Sequence, residues 1–432
     1  MAATSSNMVP STMLLFWVLF VFRYLRTIVS IFVFLLVRPK PVKRLPKYTG
    51  KDVTVVIPTT FKSPSELIEC LRSVTASSPS AIIIVTSNAN VELLSRHCRN
   101  NSVEVTVLGV SRLNKREQIL RAMPFVKTEI TVLADDDVFW PSRFLDYILA
   151  IFENPAVGAG GPLQRVRRNK CPDSWNFLGI SYLERRVWNN LATNGIDGSI
   201  STLSGRTAAY RTKILNTDEF AHYFRNDSWK GKKIHTGDDK CLTRYVYSHG
   251  WKIVIQPDRR ATIETTVEPD RKYISQCIRW ARSHWHGNFV VMGKESYWHS
   301  PRYLWGFYYI YVGQFQTPAL LIDGLLFFFL LLSLGTTLST TAILAYTGLG
   351  AWIFFTKLVK LIPHFCRYPS DMRFIPLSIL FSYLHGFINL YALWTLDATT
   401  WGSQNLSQLE IARTDIGTTK SANEHDTLLE HV

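Results

Sequence analysis

Apolar positions along this chain fall into two patterns. Met13 to Val37 is almost wholly apolar, interrupted only by Arg23, Tyr24, Arg26, Thr27 and Ser30. Three further runs come late, at about Thr317–Leu334, Thr340–Phe355 and Phe374–Leu396. The first run exceeds the roughly 20 residues that cross a bilayer as a helix. No small-residue cleavage site follows it, so it reads as an anchor. Its two arginines are costly at mid-bilayer, which suggests a span lying to one side of them and continuing as an interfacial helix. Tyr303–Tyr311 is aromatic but short of a span and suits a helix at the interface.

Between these runs, short apolar stretches alternate with helix-periodic ones. Asp52–Thr60 predicts a buried strand ending at Pro58, and Ser65–Ser73 a helix capped by Ser65, with Leu67, Ile68, Leu71 and Val74 on one face. Ala81–Thr86 predicts a second strand and Val91–Cys98 a second helix. Val103–Leu108 then predicts a third strand, Lys115–Met123 a helix and Ile130–Leu133 a fourth strand. Strands alternating with helices predict an α/β domain with a mostly parallel sheet. Gly158–Pro162 reads as a glycine-rich turn, Ser174–Leu191 as a helix, and Gly237–Thr243 as the opening of another.

Charge orients the spans. Arg38, Lys40, Lys43, Arg44, Lys47 and Lys51 follow the first run, and no charged side chain precedes Met13, so the segment after Val37 is expected in the cytosol. The expected divisions are an anchor with its basic flank (1–48), a cytosolic domain (49–270), interfacial helices (271–316), C-terminal membrane helices (317–398) and a disordered tail (399–432). Phe374–Leu396 contains Pro376 and His385-Gly386, which is compatible with a broken or re-entrant segment. A simple count of spans would leave Trp401 outside. The 432 residues carry a net charge of +15, but the bases flank membrane runs or are scattered, with no nucleic-acid-binding module. Anionic lipid and a phosphorylated small molecule explain them better. The six cysteines lack the close pairing of a zinc site.

Four features suggest chemistry. The fourth strand runs into Asp135-Asp136-Asp137, and three adjacent carboxylates repel unless a cation such as Mg²⁺ or Mn²⁺ lies among them. A solvated acidic turn is the alternative. Asp238 and Asp239 open a helix, whose dipole favours an ionised carboxylate able to act as general base or merely as a cap. In Gln276-x-x-Arg279-Trp280 the cation could neutralise a departing diphosphate and the indole stack on a sugar, although such belts also mark membrane interfaces. Lys115-Arg116 at a helix start suits phosphate or ribose, or simple solvation.

These motifs, in this order, resemble family-2 glycosyltransferases of the processive, membrane-embedded kind: hyaluronan, chitin and cellulose synthases, and most of all a fungal hyaluronan-synthase-like subgroup. The resemblance spans Val53 to Trp280, with a weaker match at Trp401-Gly402-Ser403. It implies a GT-A fold and inverting transfer from a UDP-sugar to a growing polysaccharide at a membrane channel, here a multi-pass protein of the plasma membrane. By position it implies that Pro58, Thr59, Lys115, Arg116, Gln276 and Arg279 bind the nucleotide sugar, with Asp135 and Asp137 holding it through Mg²⁺ or Mn²⁺. Asp239 becomes the base beside Asp238, and Gly205, Trp280 and Trp401 contact the acceptor. Two departures stand out. Where the family carries an Asp after its second strand, this chain has Ser87-Asn88, and Gln404 replaces the basic residue after Trp401-Gly402-Ser403. A lipid glycosyltransferase of the ceramide glucosyltransferase kind and a catalytically silent scaffold are the alternatives.

Overall fold

The computed structural model describes residues 5–99, 101–234, 237–296, 299–336 and 339–397. Four apolar runs form parallel strands β1 (Val53–Pro58), β2 (Ala81–Ser87), β3 (Glu104–Val110) and β4 (Ile130–Ala134), in the order β3-β2-β1-β4. Both faces of β1 are buried, because helices cover both sides of the sheet. Val55 and Ile57 pack with Leu67, Cys70 and Val74 on one side, while Val56 joins Ile119, Leu242 and Val246 on the other.

Beyond β4 the sheet continues with three strands, Thr207–Arg211, Val157–Pro162 and Lys252–Gln256, the first antiparallel to both of its neighbours. The expected glycine-rich turn is therefore the second of these strands. The correction has a packing cause. A Cβ on Gly160 would lie 2.1 Å from Ile151 Cδ1 and 2.4 Å from the Val254 carbonyl, and one on Gly158 would lie 2.6 Å from Trp251 Cβ. The glycines admit close neighbours rather than bend the chain. The helix after β1 begins one residue before the expected Ser65, at Pro64. Ser63 holds the cap position without a side-chain bond, and Pro is preset for a first helical turn. Cys70 is fully buried on its inner face, whereas Ile68 is partly exposed.

Among the described residues, three helices are long and apolar enough to cross a membrane: Ser11–Leu36, Thr340–Arg367 and Pro369–Trp394. A fourth apolar helix, Ala319–Leu334, has only 16 residues and meets the aromatic Pro301–Gln316 segment at an 83° bend. Pro318, which has no N–H to donate, stands at the break. The broken element is therefore this one. The final helix runs unbroken from Ile375 to Trp394, because Pro376 lies in its first turn and Gly386 packs against the Thr317 carbonyl.

Asp323 joins these four helices. Its carboxylate accepts from Tyr24 and Tyr383 hydroxyls, each at 3.1 Å, and pairs with Lys357 at 3.2 Å and Arg23 at 3.4 Å. Arg23 is thus met by protein rather than by displacement of the span toward water, and Arg26 donates to the Gly313 carbonyl.

Candidate active site

One cavity of about 750 Å³ collects the predicted chemistry. It opens at the carboxyl ends of β1 and β4, beside the antiparallel strand, where open α/β sheets bind ligands. It then passes between the Ser174–Asp197 and Lys272–Lys294 helices to Tyr309 and Gln314 of the bent segment and to Ser382 and His385 of the last helix. Pro58, Thr59, Lys115, Asp135, Asp137, Gly205, Asp238, Asp239, Gln276, Arg279 and Trp280 all line it. Trp401 and Gln404 lie outside the described residues.

The three strand-end carboxylates have different environments. Lys115 donates to Asp135 at 2.5 Å and lies 3.6 Å from Asp238, bridging the two acidic groups. Enclosure works against the Lys115 charge, but Asp135 and Asp238 outweigh it and hold the ammonium well above its ordinary range. The Thr59 hydroxyl donates to Asp136 at 2.5 Å. Asp137 has a buried oxygen, Oδ1, with no hydrogen-bond partner. Burial, reinforced by Asp135 and Asp136, pushes its carboxyl up to about 7. An orphaned carboxylate oxygen beside two more carboxylates fits a hard divalent cation, with ligands completed by substrate phosphates. Among the described residues, no cluster of three or more His, Cys, Asp or Glu forms a ready-made cage.

Asp238 and Asp239 begin their helix because Gly237 adopts φ +68°, a left-handed conformation, and a Cβ there would lie 2.5 Å from Ser283 Oγ. Gly205 sits between the two halves of the site. An added Cβ would be 3.3 Å from Lys115 Nζ and 3.5 Å from Asp239 Cβ. Enclosure raises the Asp239 carboxyl above its ordinary range, with the Arg186 cation as the largest opposing influence. Trp280 stacks on Tyr182, with ring centroids 5.0 Å apart and planes at 22°, and the Arg206 guanidinium lies 5.2 Å over its ring.

Lys115 and Arg116 part company. Successive helical residues point about 100° apart, so Lys115 faces the cavity while Arg116 turns inward to the Phe224 carbonyl at 2.7 Å and Asp227 at 2.9 Å. Arg116 does not line the cavity and braces the domain with Arg244, which also pairs with Asp227. Ser87 and Asn88 likewise lie outside the lining, and the wall near β1 is made by Thr60, Leu113, Asn114 and Gln118. Gln118 donates to the carbonyls of Thr59 and Val85, fixing the ends of β1 and β2.

Sequence reasoning passed over Tyr182, Arg185, Arg186 and Asn189, all on one helix and all facing the cavity. The signal was two adjacent arginines on a segment with little hydrophobic asymmetry, a pattern that surface helices share.

Residues 50–283 match the family described as "Glycosyltransferase like family 2". The chain is 44% identical over 389 residues to a type 2 glycosyltransferase of Zymoseptoria tritici, covering 89% of this chain and 82% of that one. It is 24% identical over 370 residues to a hyaluronan synthase of Streptococcus pyogenes, covering 82% and 83% respectively. Among solved structures, a mannosyltransferase from Pyrobaculum calidifontis in complex with GDP-Man and Mn²⁺ superposes with a TM-score of 0.52 at 17% identity, over 87% of this chain and 99% of that one. That last likeness bears on the fold, a GT-A type α/β sheet. Because the family match alone covers more than half of the chain, and relatives of similar length agree with it, the chain belongs to the glycosyltransferase-like family 2 and is a glycosyltransferase.

Proposed function

We propose that the protein transfers a sugar, with inversion, from a nucleotide sugar to a growing polysaccharide, and passes the product along its cavity into the membrane helices. The preferred donor is a UDP-sugar, and the catalytic domain faces the cytosol of a plasma-membrane protein. The observation that carries the reading is continuity: one cavity holds the strand-end carboxylates and also reaches Ser382 and His385 of the last apolar helix. The distant likeness to a hyaluronan synthase supports a polymer product, and the GDP-Man and Mn²⁺ bound by the mannosyltransferase support a nucleotide-sugar donor and a divalent cation.

On this reading Pro58 and Thr59 border the nucleotide, with Lys115 and Gln276 on the diphosphate side. Asp137 and Asp135 would hold Mg²⁺ or Mn²⁺, which when bound neutralises diphosphate charge. Asp239 accepts the proton of the acceptor hydroxyl as that oxygen attacks the anomeric carbon. Its raised affinity for a proton, caused by enclosure, makes it a stronger base than an exposed carboxylate. Arg279 steadies the negative charge left on the departing nucleoside diphosphate. Trp280, fixed by Tyr182, gives the terminal acceptor sugar a flat apolar face, and Gly205 leaves room for it beside Asp239.

Product analysis with labelled UDP-sugars tests this. A polymer ladder is expected, and Asp239→Asn should lower transfer by about 10²–10⁴-fold while nucleotide binding persists. A single glycolipid product would overturn the polymer reading in favour of lipid glycosylation. No turnover with any nucleotide sugar would overturn both.

A further inference from the structure

The cavity is charged unevenly. Its carboxylates, Asp135, Asp136, Asp137, Asp238 and Asp239, all come from the strand ends and the Asp238–Ser248 helix. Further along, the wall carries Arg26, Arg185 and Arg186. Arg185 donates to Ser378 Oγ at 2.7 Å and to the Lys357 carbonyl at 3.2 Å, both on apolar helices, and Arg26 donates to the Gly313 carbonyl at 3.2 Å. Behind them Lys360 donates to the cavity-lining Asn189 at 2.6 Å.

None of these four cations has a carboxylate within 4.0 Å among the described residues. Arg186 has no hydrogen-bond partner there at all. Burial pushes the Arg185 guanidinium down to about 10. Enclosed charge of one sign is unfavourable unless something of the opposite sign accompanies it. Asp323, the carboxylate of the helix bundle, is already engaged by Arg23, Lys357 and two tyrosines. A neutral passenger would leave the arginines uncompensated.

We propose that this stretch is an anion-binding subsite for the acceptor, and that the acceptor is an acidic glycan carrying carboxylate groups. The inference rests on the cavity being the acceptor path. It prefers a glycan to a lipid phosphate because the wall around the arginines presents amides and hydroxyls, among them Asn190, Thr193, Ser382 and Asn389. Those groups suit sugar hydroxyls and offer little to an acyl chain. Arg186 is the residue that would read the charge nearest the chemistry, since its field also reaches Asp239.

Binding, not turnover, tests this. Hexasaccharides built on glucuronate, galacturonate and mannuronate are titrated against the full-length protein in nanodiscs, each beside its carboxyl-reduced counterpart. At least one acidic member should bind tenfold or more tightly than its neutral twin at low salt, and the advantage should shrink as salt rises. Arg186→Gln should abolish the advantage, Arg186→Lys should keep part of it, and Arg186→Glu should reverse it. Equal binding of every acidic and neutral pair overturns the proposal. So does displacement of bound oligosaccharide by farnesyl phosphate together with no acidic preference, which would point to a lipid phosphate. Asp239→Asn should bind acidic hexasaccharides as the wild type does. The two readings fail separately: absence of transfer with every donor strikes the polymerase reading, whereas equal binding of acidic and neutral pairs strikes the acidic acceptor alone.

Discussion

Asp323 and Asp137 are both enclosed carboxylates, and their surroundings are opposites. Asp323 sits among four apolar helices with two cations and two hydroxyls directed at it. Asp137 sits at a strand end with two more carboxylates beside it and an oxygen that nothing in the protein meets. The first arrangement is complete without a ligand and serves cohesion. The second is incomplete, and incompleteness of that kind is how a fold stores affinity for something that arrives later.

Removing each carboxylate should separate the two cases. Asp323→Ala leaves Arg23 and Lys357 buried without a counter-charge, and stability should fall by about 3–5 kcal/mol, read as loss of thermal stability in nanodiscs. Asp137→Asn removes repulsion instead, so the metal-free protein should melt at the same temperature or higher. The same variant should lose Mn²⁺ binding in calorimetry and transfer about 10²–10³-fold more slowly. Equal destabilisation by both substitutions would dissolve the distinction.

Acidity offers a subtler contrast. A carboxyl held near 7 in the fold and near 4 when unfolded contributes stability that is fully present below about pH 4 and lost as pH rises through 7. A cation competes with that proton. Mn²⁺ should therefore raise the melting temperature more at pH 8 than at pH 6, and its binding near pH 6–7 should release protons, measurable in buffers of different ionisation heat. The smallest expected effect belongs to Arg186→Gln. Losing the charge that opposes protonation of Asp239 should move the acidic limb of the kcat/KM profile to higher pH by a few tenths to about one unit, while Asp323→Asn should not move it.

Much of the sheet was legible because a strand covered on both faces carries apolar residues on both, as β1, β2 and β4 do. The Val157–Pro162 strand escaped notice since what it needs is missing side chains, and glycine in sequence more often signals a bend. The last helix looked breakable from Pro376 and Gly386, yet a proline in the first turn is harmless. The real break at Pro318 lay between two segments treated separately. At the site, the acidic and Gln276–Trp280 motifs converge on one cavity. Lys115 and Arg116 illustrate a limit of motif reading, because adjacency in sequence means divergence on a helix. Arg185 and Arg186 were hidden for another reason: an adjacent pair of arginines resembles a solvated face until the apolar helices close over them.

The short helix from Ala319 to Leu334 has a consequence for biosynthesis. At 1.5 Å per residue its 16 residues reach about 24 Å, short of a hydrocarbon core of roughly 30 Å, and they carry a carboxylate. Alone in a nascent chain it is a poor candidate for insertion. Its counter-charge, Arg23, is made 300 residues earlier and waits in the first helix. The first apolar helix thus supplies the counter-charge that a late, undersized apolar helix needs, and a protein shortened at its N-terminus should fail at assembly before it fails at chemistry.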